Sequence, residues 1–322
     1  MADARRLPRL VVTGAGGQLG TDLLRVLEQD PRPFPAQGLT RAECDIADAP
    51  RVRAVLADQA RAGGDAGLVV LNAAAWTDVD GAESDEAGAH LINGAGPAHL
   101  AVACAEVGAR LVHVSTDYVF SGEIRPGVEP RPYEVDDEPA PRTAYGRTKL
   151  AGEQAVRLLL PDAGYVVRSG WLYGETGGNF VKTMLRLAEA RPTLDVVDDQ
   201  RGAPTWTRDL AERLVDLAVG AAPAGTYHCS AAGETTWFTF ARRIFAAAGH
   251  DPDRVRPSTT AALARPAPRP AYSVLSNRSG AEAGLSPIGD WADRFEVARS
   301  TVGAALGFPP HMSDASLSAA RG

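Results

Sequence analysis

The feature that most constrains this chain is a short apolar run that ends in a glycine-rich turn and opens an amphipathic helix. Leu10-Val11-Val12-Thr13 reads as a buried strand. Gly14, Gly17 and Gly20 follow it as G-x-x-G-x-x-G, and a helical pattern runs over 18–28. The glycines permit a tight turn and close backbone approach. The helix N-terminus, with Gln18 and Leu19 in its first turn, offers unpaired N–H groups to a pyrophosphate. An ordinary strand–helix turn can look the same, so the weight comes from its place at the head of a repeating strand–helix pattern.

That pattern continues with strands expected at 68–71, 110–115 and 165–168. Helices are expected at 83–107, interrupted near 94–97, and at 145–160. Short, continuously apolar strands separated by helices imply a parallel sheet covered on both faces, an α/β Rossmann-type doubly wound fold. A strand between Pro31 and Thr40 is placed by topology, because Pro31, Pro33 and Pro35 weaken its pattern. After about Trp171 the rhythm changes. Helices at 179–190, 207–219, 237–248 and 291–306, with short strands at 194–197 and 226–228, suggest a smaller, irregular α/β substrate-binding domain. The expected division is 1–172 for dinucleotide binding, with segments near 192–222 returning to it, and 173–309 for substrate. A frayed end is expected from Gly307, with 310–322 a flexible tail.

Composition narrows the partners. Lys plus Arg number 33 against 40 Asp plus Glu, a net charge of −7, and no long basic run is present, which argues against nucleic acid. Cys44, Cys104 and Cys229 form neither a disulfide framework nor a CxxC site, and no histidine pair has metal-ligand spacing, so no metal is expected from the residues. Neither a signal peptide nor a membrane span is legible, which predicts a cytoplasmic chain without membrane partners, as a monomer or homodimer.

Chemistry enters with Tyr145 and Lys149. Their i, i+4 spacing puts both on one helix face, about one turn apart. A phenol with an ordinary pKa near 10 is a poor acid at neutral pH, and a neighbouring ammonium is expected to lower it. Upstream, a strand ends in Ser115-Thr116-Asp117-Tyr118, at the edge where open α/β sheets bind ligands. A hydroxyl there completes the Ser/Thr–Tyr–Lys set of the short-chain dehydrogenase/reductases, a superfamily to which the G-x-x-G-x-x-G spacing and the segment Asn72-Ala73-Ala74-Ala75 are also similar. The proline- and acid-rich stretch 125–142 leads into Tyr145 and reads either as a cover for the site or as a solvated loop.

Within that superfamily the chain resembles the dTDP-4-dehydrorhamnose reductases, from about Leu10 to about Leu306. The resemblance rests on VTGAGGQLG, NAAAWTDVDGAE, HVSTDYVFSG, AYGRTKLAGE, RSGWLYG, GNFVKTMLRLA, DDQRGAPTW and GTYHCSAAGETTWFTFA. Departures are Trp76, where a smaller aromatic or histidine is common, and Gly170, where a larger residue is usual. The resemblance implies hydride transfer from NADPH, with NADH also accepted, to C4 of a dTDP-linked 4-keto-6-deoxyhexose. It implies that Thr116 orients the carbonyl, that Tyr145 donates the proton, and that Lys149 binds the nicotinamide ribose and tunes Tyr145. Ala73, Ala74 and Ala75 would support the cofactor, and Asp45 and Ile46 would flank its adenine. Tyr118 and Trp171 would wall the sugar, with Asp117 ranked below Thr116, and Trp171 reads equally as a core indole.

For the dTDP moiety the candidates are Asn179, Phe180 and Lys182 at a helix start, Gln200, Arg201 and Pro204 in DQRGAPT, and Arg269 in the APRP segment. Arg201 and Arg269 read also as surface arginines. Mg2+ is implied by the resemblance alone. Thr40 and Arg41 stand where an NAD-specific domain carries an acid, and an arginine suits a 2′-phosphate, so NADPH is expected to serve at least as well as NADH. A slip in register would bring Glu43 to the ribose instead. The alternatives are a sugar-nucleotide epimerase or dehydratase, or a non-catalytic subunit of the same fold. The dehydratases carry Asp-Glu after the threonine, whereas here Tyr118 follows Asp117.

Overall fold

A computed structural model describes residues 7–124 and 127–309. The chain opens with β1 (Arg9–Thr13), α1 (Gln18–Gln29), β2 (Ala36–Leu39), α2 (Ala49–Gly63), β3 (Leu68–Asn72), α3 (Val79–Ser84), α4 (Glu86–His90), α5 (Gly96–Val107) and β4 (Arg110–Thr116). It continues through α6 (Ala144–Leu159), β5 (Gly164–Ser169), β6 (Leu172–Tyr173), α7 (Phe180–Ala190), β7 (Leu194–Val197), β8 (Arg201–Gly202), β9 (Thr205–Trp206), α8 (Thr207–Val219) and β10 (Gly225–His228). Then come β11 (Thr235–Thr236), α9 (Trp237–Ala247), β12 (Val255–Ser258), α10 (Arg278–Glu282) and α11 (Trp291–Leu306).

Six strands form one parallel sheet in the order β10-β5-β4-β3-β1-β2. Strands β1, β3, β4 and β5 are almost wholly buried because helices cover both faces, which is why their sequences are continuously apolar. One face buries Leu19, Leu23 and Leu27 of α1 with Leu210 and Leu214 of α8, and the other buries Val52, Leu56, Leu100 and Val156. The chain reverses direction across the sheet between β1 and β3, and such a switch point opens a crevice at the strand C-termini.

The strand expected between Pro31 and Thr40 is β2, only four residues long. Its Gly38 lies against Leu24 and Ala15, where a Cβ would come 2.6 Å from Leu24 Cδ1. In segment 83–107 the interruption expected near 94–97 is present but begins earlier. The breaks fall at Asp85, which caps α4, and at a π-turn over Leu91–Ala95, while Pro97 sits in the first turn of α5 and interrupts nothing.

The segments after Trp171 divide between the two halves. Helix α8 packs on α1, and β10 extends the main sheet beside β5. Strand β7 instead pairs with β12 in the other half. The core of that half gathers Tyr173, Trp206, Phe240, Phe245, Trp291 and Phe295. Phe308 joins it beside Phe295, with ring centroids 5.9 Å apart, so the chain is not frayed at Gly307–Phe308. Gly307 turns left-handed there to cap α11. The expected tail 310–322 lies outside the described residues.

Candidate active site

The glycine loop is built by close approach. Gly14 has φ +71°, and a Cβ on it would come 2.6 Å from the backbone nitrogen of Ala74, so the loop after β1 lies directly against the loop after β3. Asn72 fastens the two: its Oδ1 accepts from the Thr13 hydroxyl at 2.7 Å and from the Ala74 N–H at 3.1 Å. The resulting cleft of about 370 Å3 is lined by Gly14, Gly16, Gly17, Thr40, Arg41, Asp45, Ile46, Ala73–Ala75 and Trp76, among others. A backbone cradle with no side chains in the way fits a dinucleotide. Gln18 is drawn toward Asn179, whose amide donates to it at 3.3 Å. Leu19 packs its side chain in the core and does not line the cleft. Arg41 is 81% exposed at the rim, held by Asp45 at 3.1 Å, while the Glu43 carboxylate accepts from Thr40 N–H and hydroxyl at 2.8 and 2.7 Å.

Thr116, Tyr145 and Lys149 meet at the C-terminal end of β4. Thr143 caps α6 by accepting from the Gly146 N–H at 2.9 Å, which fixes the helix start and turns Tyr145 toward β4. Tyr145 packs with Trp76 on Ala82, Ala89 and Ala144, and its ring meets Tyr118 edge-on at 5.5 Å. Burial pushes its phenol up to about 12, with the Thr116 hydroxyl opposing and Asp117 adding to the rise. The expected lowering by Lys149 is absent. The Lys149 ammonium turns inward and donates to the Val114 carbonyl at 2.6 Å, one turn below the phenol. Burial brings Lys149 down to about 8. Asp117 is buried and accepts from the Thr116 hydroxyl at 2.9 Å; burial lifts its carboxyl to about 6 against the pull of the Ser273 and Thr116 hydroxyls.

Trp171 is stacked, not loose. Its backbone is left-handed (φ +53°), a strained conformation for a bulky residue. The indole lies parallel to Trp237 at 3.5 Å and donates to Ser273 Oγ at 3.2 Å. Gly202 makes room for it, since a Cβ there would fall inside the indole. Gly202 thus accounts for the glycine of DQRGAPT. Trp237 and Ser273 were not singled out from the sequence; they are 66 and 102 residues from Trp171, and no local signal links them.

A second cleft, of about 520 Å3, is lined by Tyr118, Phe180, Leu187, Gln200, Trp237 and Arg269, among others. Phe180, Gln200 and Arg269 are therefore brought together with Tyr118. Gln200 donates to Thr260 at 2.9 Å, and Arg269 pairs with Asp80 at 2.8 Å. Asn179 caps α7, accepting from the Lys182 N–H at 3.1 Å. Four candidates for the dTDP moiety do not line this cleft: Asn179, Lys182, Arg201 and Pro204. Lys182 lies on the other side of α7 from Phe180 and Leu187, and reaches the Glu175 carbonyl. Arg201 pairs with Glu234 and lies over the Tyr272 ring at 5.7 Å. Pro204 is buried in the turn between β8 and β9. The stretch before α6 docks through Tyr133, stacked on Phe120 at 4.2 Å. Among the described residues no cluster of His, Cys, Asp or Glu suits a metal ion, and no helix is long and apolar enough to cross a membrane.

Comparison with known proteins identifies the family. Residues 8–301 match the family described as the RmlD substrate binding domain. A dTDP-4-dehydrorhamnose reductase of Streptomyces griseus is 51% identical over 88% of this chain and 90% of its own length. A dTDP-4-keto-6-deoxy-D-glucose reductase of Streptomyces niveus is 47% identical over 88% of this chain and 93% of its own. The crystal structure of dTDP-4-dehydrorhamnose reductase from Bacillus anthracis in complex with NADP superposes with a TM-score of 0.83 at 36% identity, covering 91% of this chain and 98% of that one. The chain belongs to the dTDP-4-dehydrorhamnose reductase family.

Proposed function

We propose that this protein reduces the C4 keto group of a dTDP-linked 4-keto-6-deoxy-L-hexose, dTDP-4-dehydro-L-rhamnose before others, at the expense of NADPH. The observation that carries the reading is the position of Tyr145, which packs beside Trp76 of the dinucleotide cleft and meets Tyr118 of the apolar cleft.

A reduced nicotinamide supplies the hydride. The chain's own residues do the rest. The turn of Gly14, Gly17 and Gly20 opens α1 and presents its N–H groups to a diphosphate. Ala73–Ala75 form the opposite wall, and Thr40 and Arg41 stand ready for a 2′-phosphate. Lys149, one turn from Tyr145, is placed to hold ribose hydroxyls. Thr116 and Tyr145 donate to the carbonyl oxygen as it gains charge, and Tyr145 delivers its proton to the alkoxide. A phenol whose proton affinity is raised by burial serves as an acid here because its partner, a developing alkoxide, is more basic still. Asp117 competes with the substrate for the Thr116 hydroxyl, so binding must release that bond. Tyr118 and Trp171 wall the sugar, and Phe180, Gln200 and Arg269 line the nucleotide's slot.

The reading is tested by mixing the protein with NADPH and a panel of dTDP-4-keto sugars while following nicotinamide absorbance. One NADPH consumed per sugar is expected. Turnover without net NADPH consumption would favour an epimerase or dehydratase.

A further inference from the structure

The Tyr145–Lys149 stripe does not end at Lys149. Glu153 continues it at i+8, and each of the three meets the end of β4: Tyr145 at Thr116, Lys149 at the Val114 carbonyl, and Glu153 at Ser115. Glu153 Oε1 accepts from the Ser115 hydroxyl at 2.5 Å and from Arg168 Nε at 3.0 Å, and its Oε2 accepts from Arg168 Nη2 at 2.7 Å. Both members of this ion pair are buried, at 2% and 3% exposure, and Arg168 also lies over the Phe120 ring at 5.0 Å. A buried ion pair is poor value as a stabiliser, since apolar residues of like volume often serve as well or better. Its place, one turn beyond Lys149 and two beyond Tyr145, points to an electrostatic task.

The same region holds an exceptional cation. Of the 33 Lys and Arg residues only Lys149 and Lys182 are lysines. Lys149 is buried, and desolvation opposes its charge. Around it stand Tyr145 and Glu153, one turn to either side on α6, and His113 and the Val114 carbonyl from β4, while Arg168 of β5 is paired with Glu153. His113 is pushed well down by burial and by Lys149 itself, so it offers no charge to balance the ammonium. Glu153 is the group that favours it.

We propose that Glu153 is a positioning residue for the reduction: clamped by Ser115 and Arg168, it keeps the buried Lys149 ammonium charged and directed at the Val114 carbonyl, one turn below Tyr145. This rests on the reading of Tyr145 and Lys149 given above. With two lysines in the chain, lysine labelled with carbon-13 gives two side-chain resonances, and Lys182→Arg assigns them. In Glu153→Gln the Lys149 titration midpoint moves to lower pH by roughly one pH unit, a tenfold loss of proton affinity, and the alkaline fall of kcat moves with it. Glu153→Gln/Arg168→Met strands no buried cation and shifts the midpoint the same way. A Lys149 midpoint unchanged in both variants, with kcat lowered equally at every pH, would overturn the proposal and leave Glu153 a structural residue. The midpoint is read without substrate, so failure to turn over any 4-keto sugar would count against the proposed function and not against this inference.

Discussion

Asp117 and Gly170 are fitted to each other: a Cβ on Gly170 would come 2.6 Å from Asp117 Oδ2. The carboxylate fills the room that a larger residue would take, which gives the departure at Gly170 a physical reason. The strand end is thereby committed to a buried acid that holds the Thr116 hydroxyl.

Holding a carboxylate there costs stability at neutral pH, because burial raises Asp117 to about 6. A carboxyl raised on folding destabilises the native state above that value, and the penalty fades as pH falls through it. Asp117→Asn is therefore expected to melt higher than wild type at pH near 8, with the gap closing as pH drops below about 6. Thermal denaturation of both proteins across that range checks it; a constant gap would mean that the charge is not responsible.

Trp237→Ala removes the ring stacked on Trp171 and frees a strained residue. KM for the dTDP-sugar is expected to rise by roughly tenfold, in line with an aromatic pair worth about 0.5–1.5 kcal/mol plus lost burial, while NADPH affinity stays unchanged. Trp237→Phe should restore much of the loss. Steady-state kinetics with each substrate varied in turn separates the two effects.

Cofactor choice is expected to depend on Arg41. Its guanidinium rests on Asp45, and a 2′-phosphate would draw it away. Arg41→Ala should lower kcat/KM for NADPH by about tenfold, the scale of one charge-assisted hydrogen bond, and leave NADH nearly unaffected. Equal losses for both would remove Arg41 from phosphate recognition.

What was legible in the sequence follows from how local each signal is. The first strand and its glycines read directly, because a buried parallel strand is continuously apolar and the glycine spacing is set by the turn. Strand β2 is barely visible because only Leu39 of its four residues is buried. Helix α2 escaped notice since just Val52 and Leu56 of its fifteen residues are buried. Thr116, Tyr145 and Lys149 were found through spacing and resemblance, but not the inward turn of the Lys149 ammonium, which depends on β4. Lys182 is named with Phe180 by sequence proximity, but two residues is about 200° around a helix, away from the face that carries Phe180 and Leu187. Trp237, Ser273 and Glu153 meet partners that only the fold brings near.

The central claim is that Tyr145 delivers the proton in an NADPH-dependent reduction of a dTDP-4-keto-6-deoxyhexose. Single-turnover kinetics of wild type and Tyr145→Phe, each loaded with NADPH and mixed with dTDP-4-dehydro-L-rhamnose, test it most directly. The account predicts loss of one NADPH per sugar in the wild type. In Tyr145→Phe the rate should fall by roughly 10²–10⁴-fold, the usual worth of a general acid, with NADPH affinity preserved. A Tyr145→Phe protein that keeps its rate, or a wild type that leaves NADPH untouched in the presence of the sugar, would contradict it.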